Sequence, residues 1–73
     1  MTLYAVEVAL RDGTWSDKRD RWWGRFTCGH AIYTGIVAVP QVWLDEDDAA
    51  PAKMNAILGT QCHARVVAFD ERL

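Results

Sequence analysis

Arg21, Trp23 and Arg25 recur at every second position within the stretch Arg-Asp-Arg-Trp-Trp-Gly-Arg-Phe-Thr-Cys-Gly-His that runs from Arg19 to His30. A guanidinium, an indole and a guanidinium at that spacing share one side of an extended strand. Arginine offers planar bidentate contacts to carboxylate or phosphate, and tryptophan offers a large π face. Such a row suits a protein partner, since Trp and Arg are enriched at interface centres. A nucleotide or a single nucleic-acid strand stacked on the same face is the alternative. The row can also satisfy itself, with the arginine stems packed over the indole and Glu7 pairing across strands. We take Arg21, Trp23 and Arg25 as the candidate partner-binding residues.

The other chemistry-bearing residues argue against catalysis and metal binding. Cys28-Gly29-His30 and Cys62-His63 supply the ligand types of a zinc site. Their spacing is wrong, because structural sites draw each ligand pair from residues further apart and adjacent Cys62 and His63 diverge in a strand. A Cys–His nucleophile lacks any surrounding signature. Asp45-Glu46-Asp47-Asp48 lacks the alternation of a calcium loop and has Ala50 where such a loop needs glycine. Acids at that point suit a helix start. The expectation is a non-enzymatic protein with no metal and no cofactor.

These residues must be held by a small fold. Seventy-three residues make a single domain with one thin core, residues 1–73 throughout. With 51% hydrophobic and 25% charged residues, the chain has enough apolar surface to fold. Leu3 to Leu10 alternates as a strand, with Tyr4, Val6, Val8 and Leu10 expected toward the core and Leu3, Ala5, Glu7 and Ala9 away from it. Asp12-Gly13 signals a tight turn, and Thr14 to Ser16 is expected to begin a return strand that is interrupted at Asp17 to Asp20 and resumes at Arg21. Alternation then puts Trp22, Gly24, Phe26 and Cys28 on the core side, and Trp23 outside between arginines. Cys28-Gly29 reads as a second turn and Ala31 to Val39 as a third strand ended by Pro40. A helix is expected from about Asp47 to Leu58, with Pro51 in its first turn and Gly59 just past its end. Ala64 to Phe69 reads as a last strand before the charged tail Asp70-Glu71-Arg72.

The resulting order is β-β-β-α-β, an α+β fold with a small antiparallel sheet of three to four strands and one helix packed on one face. One helix covers one face, so the second face is expected to meet water or a partner. No stretch carries a recognisable family signature. The first residues lack the basic and apolar segments of a secretory signal, and no run reaches the ~18 apolar residues of a membrane helix. The expected setting is cytoplasmic, with reduced thiols. The net charge of -2 disfavours nucleic acid. What remains is a small module that binds a protein, either its own copy as a homodimer or a larger partner. The compact size and acidic run also fit a small inhibitor of the kind mobile elements or phages encode.

Overall fold

The computed structural model describes residues 2–16, 23–29, 31–36 and 40–68, and for Trp23 and Ile36 the backbone alone. The chain forms β1 (Tyr4–Val8), β2 (Trp23–Cys28), β3 (Ala31–Ile36), α1 (Glu46–Thr60) and β4 (Ala64–Ala68). The four strands make one sheet in the order β3-β2-β1-β4, with every neighbouring pair antiparallel. This is the small α+β architecture expected from the sequence. Among the described residues, no helix is long and apolar enough to cross a membrane.

The alternation of β1 is real, but both of its faces are buried. Val6 and Val8 turn toward α1 and pack with Ala49 and Ala56. On the other side Ala5 packs with Phe26, supported by Val42 and Val67. Ala5, Glu7 and Ala9, expected to point away from the core, are 0% exposed. Tyr4 and Leu10 are only half-buried. The reason is topological: β1 lies inside the sheet, paired with both β2 and β4, and the segment through Trp15 and Ser16 returns over its second face. Gly24 in β2 marks how close that return comes. A Cβ there would lie 3.3 Å from Ser16 Cβ and 3.4 Å from Phe26 Cε2, and its φ of +150° is one that side chains rarely adopt. The expected one-sided sheet is therefore a sheet with a second, small core.

The turn after β1 forms where Asp12-Gly13 placed it. Gly13, at φ +88°, donates its N–H to the Leu10 carbonyl at 2.8 Å, and Leu10 N–H reaches the Thr14 carbonyl at 2.7 Å. Asp12 Oδ1 accepts from the Thr14 hydroxyl at 2.6 Å and from the Thr14 N–H at 3.0 Å. Those bonds, the hydroxyl's first, hold the Asp12 carboxyl below its ordinary range. A carboxyl whose folded pKa is depressed stabilises the turn fully above its unfolded pKa and loses that contribution as pH falls through the folded value. Thr14→Val should therefore raise the Asp12 midpoint in an NMR titration of the side-chain carboxyls. An unmoved midpoint would show that the hydroxyl is not the cause.

Thr14 to Ser16 does not begin a strand; the sheet takes up the chain at Trp23. Asp17 to Asp20, the expected restart at Arg21, and Val37 to Val39 lie outside the described residues, as do Phe69 and the charged tail. β2 and β3 pair from Trp23↔Ile36 to Cys28↔Ala31. Cys28 therefore belongs to the strand, and the turn starts one residue later than expected, at Gly29 with φ +64°. β1 and β2 pair only at Glu7↔Phe26 and Val8↔Arg25. Beyond that point residues 41–43 lie between them: Gln41 N–H donates to the Thr27 carbonyl at 3.1 Å, and Trp43 exchanges two 2.8 Å bonds with Tyr4.

The helix is longer than expected at both ends. Asp45 is its N-cap, in extended conformation, and its side chain accepts from Asp47 N–H at 2.9 Å. Glu46, Asp47 and Asp48 occupy the first turn, where the positive end of the helix dipole favours them. Pro51 consequently sits beyond the first turn, inside the helix, where its missing N–H forgoes one bond. The helix also runs through Gly59 to Thr60. Gln61 supplies the left-handed residue instead, at φ 56°, donating its N–H to the Ile57 carbonyl.

Candidate functional site

Of the row singled out by the sequence, Arg25 is the member whose side chain is described, and it does not stand open to solvent. Arg25 lies opposite Val8 on the side of the sheet that faces α1, and is 9% exposed. Its Nη1 donates to the Ala9 carbonyl at 2.9 Å and reaches Cys62 Sγ at 3.5 Å, while its Nε has no hydrogen-bond partner. Arg25 and Phe26 do face opposite ways, as alternation requires. A charged residue in a strand need not face outward: the long Arg25 side chain carries its charge to a carbonyl just past the end of β1. Arg21 and Trp22 lie outside the described residues, and so does the Trp23 side chain, so the contrast expected between the two tryptophans is not among the described features.

An arginine does pack over an indole and pair with Glu7, but other residues supply it. Arg65 of β4 donates from Nε to Glu7 Oε1 at 2.9 Å, and its Nη2 lies 2.8 Å from the same oxygen as an ion pair. Its guanidinium carbon lies 4.1 Å from the centroid of a Trp15 ring. Glu7 is paired with Arg65 across β1 and β4, so a carboxylate and a cation share the second face. Trp43 packs against the cluster of Val6, Val8, Ala49 and Ala56.

The cysteines are separated. Cys62 is half-buried beside Arg25 on the α1 side. Cys28 is exposed, three positions beyond Arg25 along β2 and therefore on the opposite face. His63 is exposed and His30 lies outside the described residues. Among the described residues, no three His, Cys, Asp or Glu side chains come together as a metal site.

The structure adds a site that the sequence reading missed. α1 packs across β1 and β4, which leaves the β2 and β3 half of that sheet face to one side of the helix. There the molecule holds an open groove of about 470 Å³. Thr27 and Ile32, cross-strand neighbours, lie in its floor, and Gln41 and Trp43 line one end. The helix wall is a stripe through Asp48, Ala52, Asn55, Ala56 and Gly59, residues that share one side of a helix. Thr27 is 4% exposed, yet its Oγ1 has no hydrogen-bond partner. Comparison with protein-family models, curated proteins and solved structures finds no match. What the groove can do therefore rests on its own residues: the Asp48 carboxylate, the Gln41 and Asn55 amides, the unsatisfied Thr27 hydroxyl and the Trp43 indole. Small residues spaced along the helix were the available signal, but they do not reveal which half of the sheet the helix leaves bare.

Proposed function

We propose that this chain is a non-enzymatic binding module that works through protein–protein contact, in its simplest form with a second copy of itself. The observation that supports it is the edge of β3, on which no further strand pairs among the described residues. β3 is the outermost strand next to β2, and its sequence Ala-Ile-Tyr-Thr-Gly-Ile contains no charged residue and no proline. Edges of monomeric sheets are usually guarded by such residues, because unpaired N–H and C=O groups recruit further strands. Tyr33 is 55% exposed on this strand, and aromatic residues are favoured in contact surfaces. Two copies placing their β3 edges antiparallel would satisfy both edges by one two-fold operation.

Light scattering at micromolar concentration tests the reading. The expected result is twice the chain mass, reverting to the single-chain mass in Tyr33→Lys. A monomer throughout that concentration range would overturn self-association.

A further inference from the structure

We infer that the groove between α1 and the β2–β3 half of the sheet receives an extended peptide segment through a basic side chain, whose charge is met by Asp48. This goes beyond the β3 contact proposed above, and uses a different surface.

Charge points to the ligand's sign. Asp48 lies on the groove, and Asp45, Glu46 and Asp47 precede it on the same exposed turn. Among the described residues the ion pair is that of Arg65 with Glu7, on the other face of the sheet, and no described cation is paired with these four acids. The helix cap uses Asp45 Oδ1 alone. An acidic turn repels phosphate and attracts ammonium or guanidinium.

A second feature is independent of charge. Thr27 Oγ1 is buried in the groove floor without a partner, and buried hydroxyls are normally hydrogen-bonded. A peptide carbonyl or amide laid along the floor would supply the missing bond. Trp43, at the end of the same groove, offers apolar surface to the methylene stem of a lysine or arginine and a π face to its cation.

Length separates a peptide from a small amine. The helix wall extends from Asp48 to Thr60, about 18 Å at 1.5 Å per residue. That accommodates about five residues of extended chain. A free amine would fill only the acidic end.

The test is a titration of the ¹⁵N-labelled protein, read by amide shifts, with a blocked pentapeptide carrying one central arginine among alanines. Matched peptides carry citrulline or glutamate instead, and arginine amide alone is the small-molecule arm. The expected result is a set of shifts confined to Thr27, Trp43, Asp48, Asn55 and Gly59 with the arginine peptide. Asp48→Asn should weaken that binding about fivefold or more, in line with loss of a charge-assisted contact. Thr27→Val, nearly the same shape, should weaken it as well. Gly59→Leu should block it, since a Cβ at Gly59 meets nothing within 4 Å and the added side chain enters the groove wall without a clash. Equal binding of the citrulline peptide would overturn the role of charge, and equal affinity of arginine amide would overturn the peptide. No groove shifts with any probe would overturn the site itself. None of these results bears on the β3 dimer, which is read by mass.

Discussion

Phe26→Ala should lower the stability of the protein by ~3 to 5 kcal/mol, a large share of its total. Phe26 is 0% exposed and is the largest side chain of the second cluster, packed with Ala5, Val42 and Val67 on the face opposite α1. Truncating a buried phenylalanine costs ~3 to 5 kcal/mol, as lost transfer free energy and as a cavity. A domain of this length has a total stability of roughly 4 to 11 kcal/mol, scaled per residue. The cavity cannot close easily, because Gly24 beside the ring offers no side chain to fill it and β2 is held on both sides. Leu58 is the internal control: it is 71% exposed on α1, so Leu58→Ala should cost no more than about 1 kcal/mol. Urea unfolding of the two variants decides the matter. A loss below about 1 kcal/mol for Phe26→Ala would show that the face opposite the helix has no core of its own.

That second core is also where the sequence stopped being readable. The period of two along β1 and β2 correctly separates Val6 from Ala5 and Arg25 from Phe26, because backbone geometry forces it. Asp45 and the acids after it mark the helix start for an equally local reason, since cap and dipole act within one turn. Burial is a different matter. Glu7 looked like a solvent-facing residue, yet its partner Arg65 lies 58 positions away, beyond the reach of any periodicity. Arg25 looked like part of a polar surface, yet it bonds the carbonyl of Ala9 across the sheet. Pro51 looked like a first-turn residue because that is where proline costs least, but Asp45 is the stronger cap and fixed the start earlier. The groove was hidden for the same reason as the second core. It depends on α1 lying over β1 and β4, a choice made by the small faces of Ala49 and Ala56 against Val6 and Val8, and not by any motif.

Arg65→Ala should destabilise the protein by about 2 to 3 kcal/mol, and Glu7→Gln in the same chain should restore part of that loss. Removing one partner of a buried ion pair typically costs ~3 to 5 kcal/mol, because the remaining charge keeps its desolvation penalty. The lower figure is appropriate because the Arg65 side chain is 37% exposed whereas that of Glu7 is 1% exposed, so water entering the vacated space would solvate the carboxylate in part. The variant also loses the stacking of the guanidinium on Trp15, a contact of about 0.5 to 1 kcal/mol at an exposed site. Replacing the carboxylate by an amide removes the buried charge while keeping the shape, so the double variant should be more stable than Arg65→Ala alone. A double-mutant cycle in urea measures the coupling directly. If Arg65→Ala costs less than about 0.5 kcal/mol, or if the two substitutions simply add, the pair is an ornament of the surface. If the coupling is of the expected size, the face opposite the helix is held by a buried carboxylate and its cation as well as by Phe26, and Glu7 serves the fold rather than a ligand.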